Sequence, residues 1–141
     1  MYQILFYSRS GNTRKVADAI AEELGAKAFD VKAASLDTKA KIVFLGSGRY
    51  GGLPGPEMVK FIEANDFKGM KVAVFGTYWF SWLNNKREAE ATTTALQKKG
   101  AAVLGSYRCK GKFITLFNLG HPDKEDLDKA KKFAREMAGL A

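Results

Sequence analysis

The sequence predicts a three-layer α/β domain, a doubly wound parallel sheet with helices on both faces. Two observations carry this. Apolar runs without alternation, at Tyr2–Tyr7, in "KIVFL" from Lys41 and in "KVAVFGT" from Lys71, read as strands buried on both faces. Between them lie segments whose apolar residues recur every three or four positions, the helical period. Buried strands alternating with helices require parallel pairing through right-handed crossovers.

Each element has its own signal. Tyr2–Tyr7 is the first strand. From Thr13 to Leu24 a helix is marked by Val16, Ile20 and Leu24, and Gly25 stands where a left-handed closing residue belongs. Lys27 to Val31 is a short, more polar strand suited to a sheet edge. No helix pattern is visible from there to Lys41, so that crossover reads as loop or a short turn. Lys41–Leu45 is the next buried strand. Pro56 opens a helix with Met58, Val59 and Ile62 facing inward. Lys71–Thr77 follows, then a helix over 86–99 closed by Gly100, then a strand from Ala101 to Tyr107. Asp123, with Asp126 three residues on, caps a last helix whose apolar stripe is Leu127, Ala130, Phe133, Ala134 and Met137.

Composition bounds the function. The 141 residues suit one domain, 1–141, and a hydrophobic content of 46% fills one core. Met1 runs straight into a strand with no basic leader, and no apolar run spans a bilayer, which predicts a cytoplasmic protein. Cys109 is the only cysteine and His121 the only histidine, so neither a disulfide nor a metal site is expected. The net charge is +8. The basic residues are interleaved with acids, as in "KEDLDKAKKFARE", which reads as a solvated helix face and not as a nucleic-acid footprint. Cys109 lacks an arginine six residues on, as a phosphatase loop would need. His121, before Pro122 and the Asp123 cap, reads as a loop residue.

In doubly wound sheets ligands bind beyond the carboxyl ends of the strands, and three loops there are unusual. In the first, Ser8, Ser10, Asn12 and Thr13 offer donors, Gly11 allows a tight turn, and a helix N-terminus follows. Neither the Walker pattern nor G-x-G-x-x-G is present. With no lysine inside the loop, neutral donors must hold the anion, which suits a phosphate monoester kept in place. The second loop, "GSGRYGGLPGPE" from Gly46, brings Tyr50 beside Gly51 and Gly52, where a flat ligand can approach the backbone. The third, "TYWFSWLNN" from Thr77, holds Tyr78, Trp79, Phe80 and Trp82, an apolar patch that needs a cover; at least one of Phe80 and Trp82 is expected to fold back into the core. A phosphate cradle between a glycine-rich wall and an aromatic wall fits flavin mononucleotide (FMN).

These residues carry a resemblance. "SRSGNTRKVADAI" resembles the phosphate loop of flavodoxins, [ST]-x-[ST]-G-x-T, in the right place after the first strand. "GSGRYGGLPG" and "FGTYWFSW" resemble that family's second and third flavin loops, and the likeness extends over nearly the whole chain. It implies a flavodoxin-like fold with five parallel strands in the order 2-1-3-4-5, one noncovalent FMN, and electron transfer between redox partner proteins. Ser8, Arg9, Ser10, Gly11, Asn12 and Thr13 would then hold the phosphate. Arg49, Tyr50, Gly51 and Gly52 would line one side of the flavin, and Thr77, Tyr78, Trp79 and Trp82 the other, with Tyr78 and Trp79 the candidates for stacking.

The departures bear on function. Typical flavodoxins are acidic, and their third loop carries an acid that is missing here. Arg9, Arg49, Lys86 and Arg87 should favour the anionic, fully reduced flavin and make the second reduction potential less negative. The positive charge also suits acidic redox partners. A monomer or weak dimer is expected of a carrier. The rival reading is an FMN-dependent NAD(P)H:quinone-type oxidoreductase, which usually oligomerises to complete its pocket. A phosphorelay receiver is excluded, because no acidic cluster follows the first strand.

Overall fold

The computed structural model describes residues 1–9, 11–50, 53–78, 87–110 and 122–140, with the backbone alone at 49, 50, 53, 87–89 and 110. Its strands are β1 (Tyr2–Tyr7), β2 (Ala28–Asp30), β3 (Ile42–Tyr50), β4 (Leu53–Pro54), β5 (Lys71–Tyr78) and β6 (Ala102–Lys110). Its helices are α1 (Asn12–Leu24), α2 (Pro56–Ala64), α3 (Arg87–Lys98) and α4 (Lys124–Gly139).

Five strands lie in the order β2-β1-β3-β5-β6, and every neighbouring pair is parallel. Counted without the two-residue β4, this is the expected order 2-1-3-4-5. The three layers follow from alternation within each strand. Ile4, Phe6, Phe44, Ala73 and Phe75 point to one face, where they meet Val16 and Ile20 of α1 and Ala130, Phe133, Ala134 and Met137 of α4. Leu5, Val43, Leu45, Val72 and Val74 point to the other, against Met58, Phe61 and Ile62 of α2 and Leu96 of α3. Both faces of the central strands are therefore covered, which is why their sequences are apolar at consecutive positions.

The helix ends obey their local signals. Gly25 closes α1 with φ 66° and donates to the carbonyls of Ala21 and Glu22. Asp123 caps α4 by accepting from the Asp126 amide at 2.8 Å, while the Asp126 carboxylate accepts from the Asp123 amide at 3.0 Å. The segment after β2 is a single 3₁₀ turn, Val31–Ala33, capped by the Asp30 side chain.

Two boundaries differ from the sequence reading. β6 ends at Lys110, beyond Tyr107. β3 continues through "GSGRY" to Tyr50, a stretch whose glycines suggest a loop. It stays extended because Gly46 and Ser47 pair with β1 on one side and β5 on the other, and Arg49 and Tyr50 then pair with Pro54 and Leu53. Gly46 is required there for space. A Cβ on it would stand 2.0 Å from the ring of Phe75, which is fully buried.

Gly46→Ala should accordingly lower stability by about 1–3 kcal/mol in urea denaturation, as overpacking does. Pairing it with Phe75→Leu should recover part of that loss, giving a nonzero coupling energy in a double-mutant cycle.

Candidate functional site

The carboxyl ends of β1, β3 and β5 are adjacent, so the three unusual loops start side by side. At the end of β1, Ser8 is half-buried and Arg9 exposed. The Gly11 amide donates to Ser8 Oγ at 3.0 Å, closing the loop on itself. Gly11 is the N-cap of α1 with φ 87° and ψ −3°, a left-handed conformation that disfavours other residues. A Cβ there would meet nothing within 4 Å, so conformation and not space demands the glycine. Gly11 as N-cap has no side chain to offer the helix, and the first turn holds no acid. Its positive end thus has no carboxylate of its own. Asn12 and Thr13 are buried at its start. Ser10 lies outside the described residues.

Thr13 also ties two loops together. Its hydroxyl is 2.9 Å from that of Thr77, the penultimate residue of β5, and both groups are buried. A hydrogen bond between two buried hydroxyls fixes the start of α1 against the root of the third loop. Tyr78, next along, is half-buried. Trp79, Phe80 and Trp82 lie outside the described residues, as do Gly51 and Gly52 of the second loop.

The second loop is pinned by Ser47, 2% exposed. Its hydroxyl donates to the Gly48 carbonyl at 2.9 Å and accepts from the Gly55 amide at 2.8 Å. The stretch from Gly48 to Gly55 is thus held at both ends, and the backbones of Arg49 and Tyr50 form one arm of its short hairpin. Tyr7, at the end of β1, is approached by Arg9 Nε at 3.5 Å from its hydroxyl and by Lys32 at 5.8 Å from its ring centre. The second of these is a cation–π contact.

Three residues at this end of the sheet were not among the sequence candidates. Cys109 pairs with Thr77 across β5 and β6 and is buried. Burial, then the nearby Asp126 carboxylate, pushes its thiol from 9.0 up to about 12. It is therefore a neutral thiol at neutral pH and not a nucleophile. Tyr107, whose hydroxyl donates to the Asp126 carbonyl at 2.7 Å, is also pushed upward, first by burial and then by Cys109. Arg108, between them, lays its guanidinium over Gly76. The sequence signal for that contact was a glycine inside a buried strand, which marks a close approach without naming the group that approaches.

Among the described residues no group of His, Cys, Asp and Glu is placed to hold a metal ion. None of their helices is long and apolar enough to cross a membrane.

With this geometry in hand, the chain can be set beside known proteins. A flavodoxin domain model matches residues 3–134. An uncharacterized protein of Methanocaldococcus jannaschii is 31% identical over 135 residues, covering 89% of each chain. A flavodoxin from the domain Archaea superposes with a TM-score of 0.78 at 20% identity, covering 99% of this chain and 96% of that one. Oxidised flavodoxin 1 from Bacillus cereus does so with a TM-score of 0.78 at 23% identity, covering 99% and 98%.

The raised thiol gives a pH prediction. Above pH 9.0 the unfolded chain releases the Cys109 proton while the native chain keeps it up to about 12. Stability from this group is full below the unfolded value and lost as pH climbs toward the folded one. Tyr107 shifts the same way and adds to the loss. Urea denaturation between about pH 8 and about pH 11 should show a falling stability that Cys109→Ala flattens. An equal slope in both proteins would contradict it.

Proposed function

The chain belongs to the flavodoxin family, whose members are FMN-binding redox proteins, and on that premise we propose that it is a cytoplasmic FMN-dependent electron carrier. The observation that bears most weight is the Thr13–Thr77 hydrogen bond, 2.9 Å long and buried. It joins a donor-rich helix start to the root of an aromatic loop, so one ligand can touch both.

The residues fit the cofactor. A helix N-terminus that begins at a left-handed Gly11 and carries no acid in its first turn suits a phosphate monoester. Ser8, Ser10, Asn12 and Thr13 would supply side-chain donors, with the backbone of Arg9 and Gly11 completing the cradle. Ser8 Oγ is already committed to the Gly11 amide as acceptor, so its own proton remains for the phosphate. Tyr50, Gly51 and Gly52, with Arg49, would line one side of the ring. Thr77, Tyr78, Trp79 and Trp82 would line the other. When bound, the flavin supplies the redox chemistry, accepting or giving one or two electrons. The protein's part is to hold the phosphate with neutral side-chain and backbone donors, tie down the loops through Ser47 and Thr77, and set the local charge.

The positive charge of +8 suits donor and acceptor proteins with acidic docking faces. Electron transfer with such a partner should slow as ionic strength rises.

The test is binding and colour. The purified protein should be yellow or, stripped of flavin, should take up FMN. Riboflavin, lacking the phosphate, should bind far more weakly. Asn12→Ala should weaken FMN about tenfold to a hundredfold, the worth of a hydrogen bond to a charged group, and leave riboflavin affinity unchanged. Equal affinity for both flavins would remove the phosphate site, and no uptake of FMN would remove the whole reading. Steady NADH or NADPH oxidation by the loaded protein with a quinone, and no other protein present, would replace the carrier with an oxidoreductase.

A further inference from the structure

Arg108 is a cation buried at the root of the candidate site. On β6 it lies beside Gly76 of β5, one residue before the Thr77–Cys109 pair. Tyr107 and Cys109 pack with the α1/α4 core. Strand alternation therefore turns Arg108 to the opposite face, the one that carries α2 and α3. All three guanidinium nitrogens are buried. The group occupies space that only a glycine leaves open. A Cβ on Gly76 would stand 2.4 Å from Arg108 Nη1 and 2.6 Å from the Ser47 carbonyl oxygen. Gly76 is not among the glycines with positive φ, so it is required for room and not for conformation.

The placement matters because of what leaves the sheet there. Gly76 precedes Thr77, where the third loop begins, and Ser47 pairs with Gly76 and pins the second loop through Gly55. The guanidinium thus lies between the roots of the two walls. Burying a guanidinium costs desolvation energy, and an arginine keeps its charge throughout the accessible pH range. A fixed charge at that point is felt strongly by any group whose charge changes nearby, because little water screens it.

We infer that Arg108 is a positioning cation of the flavin site, whose buried charge stabilises the reduced, negatively charged flavin relative to the oxidised one. This rests on the FMN reading above. It differs from the effect of an exposed arginine such as Arg9, which salt screens. Arg108 gives the potential a component that persists at high ionic strength.

The test compares wild type, Arg108→Gln and Arg108→Lys, each loaded with FMN and titrated with dithionite against a reference dye. Arg108→Gln should bind oxidised FMN within a few-fold of wild type but favour the reduced form about tenfold less. That lowers the one-electron potential by ~59 mV. The difference should survive a rise in salt from about 0.05 M to about 0.5 M. Arg108→Lys, which keeps the charge, should stay near wild type. An unchanged potential in a folded Arg108→Gln protein overturns the inference, as does a difference that salt abolishes. Should the glutamine variant fail to fold, the lysine variant decides alone: a tenfold fall there would show that the planar fork and its packing matter, not the charge. Failure of the wild type to bind FMN removes the flavin reading itself, whereas normal binding with an unmoved potential removes only the role of Arg108.

Discussion

Everything at the site depends on burying the central strands on both faces. β1, β3 and β5 are each covered by α1 and α4 on one side and by α2 and α3 on the other. Residues such as Phe44, Leu45, Val74 and Phe75 are at most 1% exposed. A one-residue slip of any of these strands would exchange its two side-chain sets between unequal cores. The register is therefore fixed by packing, and with it the alignment of three carboxyl-terminal ends. Function can then be placed in the loops without cost to the frame, because the frame is held by apolar contacts distant from them.

That frame leaves a small number of polar tethers to shape the site. Thr13 to Thr77 joins the first and third loops, and Ser47 to Gly55 closes the second. Each is buried, so each is stronger than the same bond in water, and each would be costly to leave half made. Thr13 and Thr77 are themselves candidate ligand contacts, and Ser47 stands two residues from Arg49, another candidate. The tethers prearrange the loops, which lowers the ordering cost of binding. The same end of the sheet also separates two kinds of ionisable group. On the α4 side, burial and Asp126 hold Tyr107 and Cys109 neutral. On the α2/α3 side lies the Arg108 cation.

Much of this was legible in the sequence, for identifiable reasons. Unbroken apolar strands revealed a two-sided sheet. Gly25 and the Asp123–Asp126 pair marked helix ends through local backbone chemistry that does not depend on the rest of the fold. The run from Ser8 to Thr13 stands out in the sequence because its density of donors exceeds what one helix cap needs. The continuation of β3 through Gly46–Tyr50 was less legible: glycine has low strand propensity, and only pairing on both sides keeps it extended. The tethers were hidden for a different reason. Thr13 and Thr77 are 64 residues apart, and nothing local to either names the other. From the sequence, Thr13 reads as a phosphate donor and Thr77 as a wall residue. Their bond to each other emerges only from the register of β5 beside β3 and β1.

The two strand glycines explain how one sheet carries such different chemistry on its two faces. Gly46 faces α1 and α4, where its missing Cβ admits the ring of Phe75. Gly76 faces α2 and α3, where its missing Cβ admits the guanidinium of Arg108. They sit at neighbouring register positions, since Gly46 pairs with Phe75 and Ser47 with Gly76. In each case a large planar group occupies the space beside bare backbone just below the loops. On one face it is apolar and extends the core to the rim. On the other it is a cation and ends the core in a charge. Strand glycines are usually counted as a loss of packing and a gain in unfolded-state entropy. Here the loss of a methyl group at each position is offset by burial of a far larger side chain, and the choice of that side chain decides whether the layer beneath the loops is apolar or charged.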